Sequence, residues 1–284
     1  MSSSAFGAGG LPTGTVVLTL VAAALHATWN AMAHGVSDRL VGFALIGVSY
    51  TVISGLAVLL LGSPPAGAWP FVLASAALHV VYTLLLWTSY ELGDFSQTYP
   101  VARGVAPWAV AVIEVALGRH LPVLQLTGIV VISAGLLALA LGGGRATWPA
   151  LTVAGATGLA IAGYTVIDAA AVSAVPVPVY AAWMFLLQGP VLPAIALLRR
   201  GRALRGLRRS SLAVGLGGGL VSLLAYGLVL VAQTSGATAA VAALRETSVV
   251  FAAAIGAVFF KESLGVTRVG AAGIVAAGIV LVSL

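Results

Sequence analysis

Long apolar stretches, separated by short segments with glycine, proline or charged residues, follow one another along the chain. Each stretch is close to the length of about 20 residues that an α-helix needs to cross the hydrocarbon core of a bilayer. The pattern predicts an all-α integral membrane protein with ten transmembrane helices, preceded by a disordered tail of small and polar residues at 1–13. The helices are expected at 14–34, 40–61, 68–90, 95–117, 122–141, 148–172, 177–198, 211–234, 237–260 and 265–283.

The predicted helices form two blocks of five, 14–145 and 146–284, which meet at the segment GGGRATWP. The blocks resemble each other when Arg103 is aligned with Arg245. An odd number of helices in each block gives the halves opposite orientations, which is the plan of many secondary transporters. The sequence therefore predicts two inverted five-helix repeats.

Composition supports a protein that is embedded in the membrane. Of the 284 residues, 61% are hydrophobic and 7% are charged, and the mean hydropathy is +1.12. Ten spanning helices use roughly 200 residues. The remainder is too short for a separate soluble domain.

Basic residues are concentrated in one short segment. Six of the thirteen Lys and Arg residues lie at 199–209, and the net charge is +6. Because cytoplasmic loops accumulate Lys and Arg, this segment predicts a membrane-flanking loop rather than a nucleic-acid partner, with an anionic-lipid site as the alternative. The same bias, counted over ten spans, places both termini outside.

The sequence lacks the common motifs for cofactors and metals. It has no phosphate-binding loop that ends in Gly-Lys-Ser/Thr, no His-Glu-x-x-His motif and no cysteine, and its histidines are scattered singly. We therefore expect no ATP-driven step, no metal site and no other cofactor.

Two arginines lie inside predicted spans, Arg103 in the fourth helix and Arg245 in the ninth. A charge within the bilayer is costly, so such a residue faces a cavity or a partner. If the halves are inverted, the two guanidinium groups bracket the membrane midplane and suit an anionic or zwitterionic substrate. The alternative is a structural role, in which the arginines are neutralised by buried acids that are also candidates for proton coupling, namely Glu114, Asp168 or Glu246.

Pro100 and Pro107 flank Arg103 in the segment YPVARGVAP. A proline has no N–H to donate to the carbonyl four residues earlier, and for Pro107 that carbonyl belongs to Arg103. We expect a broken fourth helix that lines a cavity, with Tyr99 on the same face as Arg103. The matching segment of the ninth helix, LRETSVVF, has no proline, so a break is predicted in the first half only.

Polar pairs one helical turn apart recur in the first and sixth helices. His26 and Asn30 lie beside Trp29 in the first, and Tyr164 and Asp168 form the pair in the sixth. We expect these side chains to contribute hydrogen bonds to the site, and for His26 an ordinary place in the core is the alternative. A buried carboxylate without a cation favours its protonated form, so Asp168 is a candidate proton carrier.

The third helix adds Tyr82, three residues after His79, as a further candidate for substrate binding. Asp94 follows this helix, where acids are commonly solvated. The alternative function is a membrane-embedded enzyme acting on lipid or peptide, with Asp94 and Asp168, or a histidine, as the catalyst.

Four segments resemble the EamA-type branch of the drug/metabolite transporter superfamily: HATWNA, YELGDFSQTYPVARGVAP, GYTVID and AALRETSVVFAAAIGAVFFKESLG. The resemblance covers nearly the whole chain. It implies a ten-helix inverted repeat with a central cavity and alternating access, in which Arg103 and Arg245 fall near the cavity. Members of this family move small metabolites such as amino acids and sugars, often outward, and many use a proton gradient or exchange.

The chain departs from the family pattern at 118–120, where GRH replaces the acidic signature that closes the fourth helix. The second half keeps the acid in KES at 261–263. The resemblance also implies cytoplasmic termini, in conflict with the charge bias, and both orientations stay open at this point.

These observations together predict a secondary active transporter, and not an enzyme, in the cytoplasmic membrane of a prokaryote. It is expected to move a small polar metabolite that carries a carboxylate, and to do so by alternating access. We expect an exporter that is coupled to protons or to exchange of another solute. Its partners are the small-molecule substrate and the lipid bilayer. The sequence is compatible with a monomer and with a homodimer.

Overall fold

The computed structural model describes residues 11–34, 36, 38–93, 95–141, 147–204, 206–259 and 266–284, and contains helices but no strand within these ranges. A short 3-10 helix, Ala66–Ala68, precedes the third α-helix. The α-helices are α1 (Thr13–His34), α2 (Arg39–Leu61), α3 (Trp69–Leu92), α4 (Phe95–Ala116), α5 (Val123–Leu141), α6 (Trp148–Val172), α7 (Val177–Gln188), α8 (Val191–Leu204), α9 (Arg209–Gln233), α10 (Thr238–Arg245), α11 (Ser248–Phe259) and α12 (Val266–Ser283).

The all-helical prediction is confirmed for this part of the chain. Eight predicted helices occur as single helices, α1 to α6, α9 and α12, with ends that agree to within one turn. The predicted seventh and ninth helices are each divided in two. Several features predicted from the sequence, including most of the tail at 1–13, Asp94 and the segment KES, lie outside the described residues.

Seven described segments are long and apolar enough to cross a membrane by length and composition. They are Thr13–Ala33, Arg39–Leu61, Ala66–Ser89, Val123–Ala140, Trp148–Val172, Val177–Gly201 and Arg209–Gln233. The polar α4, the short α10 and α11, and α12, whose apolar stretch Val269–Ser283 is shorter, are not among them. Ten transmembrane helices and an inverted repeat therefore stay a prediction.

The break between α7 and α8 follows from local chemistry. Pro190 has no N–H, so it cannot bond to the carbonyl four residues earlier and continue the helix. Gly189 caps α7, with its N–H donated to the carbonyl of Phe185 at 2.9 Å. A Cβ on Gly47 of α2 would lie 2.5 Å from the Gly189 carbonyl oxygen, so the two backbones touch where the helix is divided.

No proline or glycine lies at the break between α10 and α11. The N–H groups of Glu246 and Thr247 bond to carbonyls three residues earlier, at 3.1 Å each, which tightens the last turn and ends α10. The prediction of a continuous ninth helix is wrong for this reason.

The predicted break in the fourth helix is also wrong, because α4 is continuous through Pro100 and Pro107. Each proline removes a single backbone hydrogen bond. Contacts with α5, α6 and α10 surround α4 and support it despite these losses. The interruption therefore lies in the second half of the chain and not in the first.

Small residues set the closest helix contacts. The helices α5 and α12 cross where a Cβ on Gly278 would lie 2.9 Å from the Gly128 carbonyl oxygen. Elsewhere α1 packs against α9, and both α3 and α4 pack against α6, while α2 contacts α7 and α9. This arrangement leaves a cavity in the middle of the helices.

Candidate functional site

The central cavity has a volume of about 80 Å³ and is lined by residues of α1, α2, α3, α6, α7, α8, α9 and α10. Most of the lining side chains are aromatic or apolar. A few polar groups interrupt this lining, as is usual for sites that bind small molecules. Among the described residues, the one arginine of the lining is Arg245, at the C-terminal end of α10.

An aromatic cluster forms one side of the cavity around Tyr164 of α6. The Tyr164 ring stacks on His79 of α3 at 3.9 Å between centroids, and the Tyr82 and Tyr226 rings meet it edge-on at 5.6 and 5.9 Å. Such contacts fix ring orientation and stabilise the packing. All four side chains line the cavity.

The polar group of α1 divides between the cavity and its own helix. His26 and Trp29 line the cavity, and the Trp29 indole Nε1–H donates to His26 Nδ1 at 3.2 Å. Asn30 instead donates its side-chain amide to the backbone carbonyl of His26 at 2.8 Å and is not part of the lining. The His26 imidazole is thus held in place by a neighbouring ring.

Arg245 is buried, with 3% of its surface exposed. Its Nε lies 3.9 Å from the Glu246 carboxylate, which is too far for a hydrogen bond. Within the described part of the chain, its Nε and Nη2 atoms have no hydrogen-bond partner. Arg245 therefore lines the cavity and keeps N–H donors that no described acceptor occupies.

Arg103 does not line the cavity, and the structure gives it a different set of partners. Its Nε lies 2.6 Å from Glu246 Oε2, and its Nη2 donates to Ser248 Oγ at 2.8 Å. Its Nη2 also lies 3.5 Å from the Arg245 carbonyl oxygen, and the centre of the Tyr99 ring lies 5.7 Å from the guanidinium carbon. Arg103 and Glu246 thus form a buried ion pair that joins α4 to the break between α10 and α11.

Glu114 holds the other end of α10. Its Oε2 accepts the backbone N–H of Ala239 at 3.2 Å, in the first turn of α10, and its Oε1 lies 3.3 Å from Arg119 Nη1. Arg119 also donates to the carbonyl of Gly236, whose φ of +80° favours glycine. Glu114 is therefore an ion-paired residue at a helix N-terminus, where negative charge is stabilising.

Asp168 is fully buried on α6 and is surrounded by hydroxyl groups from three other helices. Tyr180 Oη donates to Oδ1 at 2.6 Å, and Ser75 Oγ and Tyr226 Oη also donate to the carboxylate. No ion pair of Asp168 occurs among the described residues. The carboxylate is thus solvated by neutral donors and lies behind the cavity-lining Tyr226.

Several residues of this region are absent from the sequence-based candidates. Tyr50 lines the cavity and is hydrogen-bonded to Ser222 at 2.6 Å. Ser75 and Tyr180 are hydrogen-bonded to Asp168 and do not line the cavity. A tyrosine or serine in an apolar helix is common, so composition gives no reason to select these positions. The sequence pairs residues within a helix, whereas these contacts join different helices.

Comparison with known proteins agrees with this picture. Residues 148–284, nearly half of the chain, match the model of the EamA-like transporter family. This match confirms the predicted resemblance to the drug/metabolite transporter superfamily and, with the apolar helices, supports a multi-pass integral membrane protein. No curated protein matches the chain.

Solved structures share the fold. One of them, described only as a crystal structure of a protein, matches with a TM-score of 0.72 over 94% of each chain, at 16% sequence identity. At this identity the likeness shows the fold alone. The chemistry of the cavity has to be argued from its own residues.

Proposed function

We propose that this chain, whose residues 148–284 match the EamA-like transporter family, is a secondary active transporter for a small polar metabolite that carries a carboxylate. The observation that supports this proposal is Arg245, which lines a mostly aromatic and apolar cavity and keeps N–H donors without a described partner. A guanidinium presents its donors in a planar fork that matches the geometry of a carboxylate. The aromatic rings favour a solute with an apolar part.

The charges around the cavity favour an anion. Glu246 is shared between two arginines, 2.6 Å from Arg103 Nε and 3.9 Å from Arg245 Nε. Glu246 lies closer to Arg103, so Arg245 is the arginine without an acid in hydrogen-bond contact among the described residues. A substrate carboxylate at Arg245 supplies that direct partner.

The other candidates divide into two roles under this proposal. His26, Trp29, Tyr82 and Tyr164 contact the substrate, since each lines the cavity. Asn30, Tyr99 and Arg103 act by holding α1, α4 and the end of α10 in place.

Transport by alternating access requires the cavity to change shape. A volume of about 80 Å³ is suited to several water molecules, whereas a cavity of about 150 Å³ accommodates benzene. A metabolite therefore needs the surrounding helices to move apart. The divided helices support such movement, because Gly189 at one break and Arg245 at the other line the cavity.

Ten spans in two inverted repeats remain part of the proposal. The packing supports this plan, because the contact of α3 with α6 has a counterpart in the contact of α9 with α1. Under the repeat, α9 corresponds to α3 and α6 to α1. We also propose a cytoplasmic membrane of a prokaryote as the location and coupling to protons through Asp168.

Uptake into proteoliposomes tests the proposed function. The purified protein is reconstituted and offered radiolabelled pyruvate, succinate, benzoate, phenylalanine and glutamate, and vesicles without protein serve as the control. Saturable uptake of at least one carboxylate is expected. Absence of flux for the whole panel contradicts the proposed function. The alternative of a membrane-embedded enzyme has no support from the comparisons, since the matching family is one of transporters.

A further inference from the structure

Hydrogen bonds connect Asp168 to two side chains that line the cavity. Tyr226 donates its hydroxyl directly to Asp168 Oδ2. On the other side, His79 Nδ1 lies 3.2 Å from Ser75 Oγ, and this hydroxyl is hydrogen-bonded to Asp168 Oδ1. Chains of hydroxyl and imidazole groups of this kind conduct protons. The carboxylate is thus shielded from the substrate but within reach of a proton that enters the cavity.

The buried charges around the cavity balance without a substrate. Two arginines, Arg103 and Arg245, are matched by two acids, Glu246 and Asp168, and all four are buried. A substrate anion at Arg245 adds one negative charge to this group. An uncompensated charge in the interior is costly, so binding of the anion favours uptake of one proton by one of the acids.

Asp168 is the acid that is suited to take this proton. Glu246 lies near two guanidinium groups, which stabilise its charge, whereas the described hydrogen-bond donors to Asp168 are all neutral hydroxyl groups. A hydroxyl oxygen can also accept a hydrogen bond, so Ser75 or Tyr226 can turn to receive the O–H of a protonated Asp168.

The surrounding helices offer no better proton acceptor among their described residues. His79 is the nearest alternative, but its Nε2 has no hydrogen-bond partner, so an imidazolium would carry an unpaired buried N–H. The described titratable and charged side chains of this region are His26 from α1, His79 and Tyr82 from α3, Arg103 from α4, Tyr164 from α6 itself, Tyr180 from α7, Tyr226 from α9, Arg245 from α10 and Glu246 directly after α10.

We infer that a proton on Asp168 and an anionic substrate at Arg245 cross the membrane together, one proton for each monoanion. This inference rests on the proposed function. The loaded cavity is then neutral, as the unloaded one is, so the transport cycle moves no net charge. The anion binds more tightly as the pH falls, by up to about tenfold for each pH unit.

Proton movement during carboxylate flux tests the inference in the wild-type protein. Proteoliposomes are loaded with a fluorescent pH indicator, and the membrane potential is clamped with potassium and valinomycin. The best-transported monoanion of the panel, which is pyruvate, benzoate or glutamate, is added outside. Acidification of the lumen that keeps pace with uptake, at one proton for each anion, is expected. Flux with no lumenal pH change, or with alkalinisation, overturns the inference and leaves the proposed function intact. Absence of flux for every carboxylate overturns both.

Asp168→Asn separates the two ions, because asparagine keeps the shape of the side chain but has no charge to neutralise. In this variant we expect anion flux without acidification, and we expect the flux to follow an imposed membrane potential because each anion now crosses alone. Asp38→Asn is the matched control, since Asp38 caps α2 and pairs with Arg200 at 3.0 Å, and its side chain is 36% exposed. Acidification in step with flux in Asp168→Asn contradicts the inference. If this variant does not fold, the wild-type measurement decides alone.

Discussion

Replacement of either member of the Arg103–Glu246 pair tests whether this contact holds the break between α10 and α11 in place. The two groups lie 2.6 Å apart and are 3% and 0% exposed. Removal of one partner from a buried ion pair costs about 3–5 kcal/mol, because the remaining charge is left uncompensated. We expect a loss of this size in the free energy of unfolding for Arg103→Met and for Glu246→Gln.

The two single variants should differ in a direction that the geometry sets. After Arg103→Met, Glu246 still has Arg245 at 3.9 Å. After Glu246→Gln, two buried arginines have no acid between them, so this variant is expected to be the less stable. The double variant removes one positive and one negative charge, so the net buried charge is the same as in the wild type. Its loss should therefore be smaller than the sum of the single losses, by about 0.5–3 kcal/mol.

The assay is unfolding by sodium dodecyl sulfate in mild detergent micelles, followed by tryptophan fluorescence. Glu114→Gln is the control, because the Arg119 partner is 51% exposed and the loss is expected at about 0.5–2 kcal/mol, as for a helix cap. The structural role of this pair is refuted if the free energy of unfolding of the single variants lies within about 1 kcal/mol of the wild-type value. This threshold is a typical net value for one hydrogen bond. Additive losses in the double variant refute the direct contact.

Three further predictions concern packing, the acid network and orientation. Gly278→Leu should destabilise the contact between α5 and α12 by about 1–3 kcal/mol, because an added Cβ would lie 2.6 Å from a side-chain carbon of Ile132; unchanged unfolding in the same detergent assay contradicts this. Tyr226→Phe removes one of the hydroxyl donors to Asp168 and should shift the pH profile of carboxylate uptake, whereas Tyr50→Phe, at a cavity-lining tyrosine bound to Ser222, should leave the pH profile in place. In a Leu204→Cys variant, the introduced thiol is the only one, because the native chain has no cysteine. Labelling of this thiol only from the cytoplasm supports termini on the outside, and labelling only from the outside supports cytoplasmic termini.

The helical architecture could be predicted because it depends on periodicity and length. Apolar runs bounded by glycine, proline or charge located most helices, and Pro190 explains the division of the predicted seventh helix. The positions of His26, Trp29 and Tyr164 beside the cavity also agree with the selection of polar and aromatic residues within apolar helices.

The pairings between distant helices could not be predicted in this way. Spacing within α4 places Tyr99 near Arg103, but it contains no information on Glu246, which comes from the other half of the chain. The prediction of a break at the prolines of α4 was wrong for a related reason. Neighbouring helices can compensate for a missing backbone hydrogen bond, and the local sequence does not show which helices these are. The hydroxyl groups around Asp168 likewise come from α3, α7 and α9.

Carboxylate transport by Arg245→Gln is the measurement that tests the proposed site most directly. Glutamine keeps hydrogen-bond donors but removes the charge, and loss of a hydrogen bond to a charged group costs about 1.5–3 kcal/mol, or about 10- to 150-fold in affinity. We predict that KM for the transported carboxylate rises by such a factor in proteoliposomes, while a folded variant is recovered in the detergent assay. Wild-type KM and maximal flux in a folded Arg245→Gln protein would contradict the assignment of Arg245 as the substrate anchor.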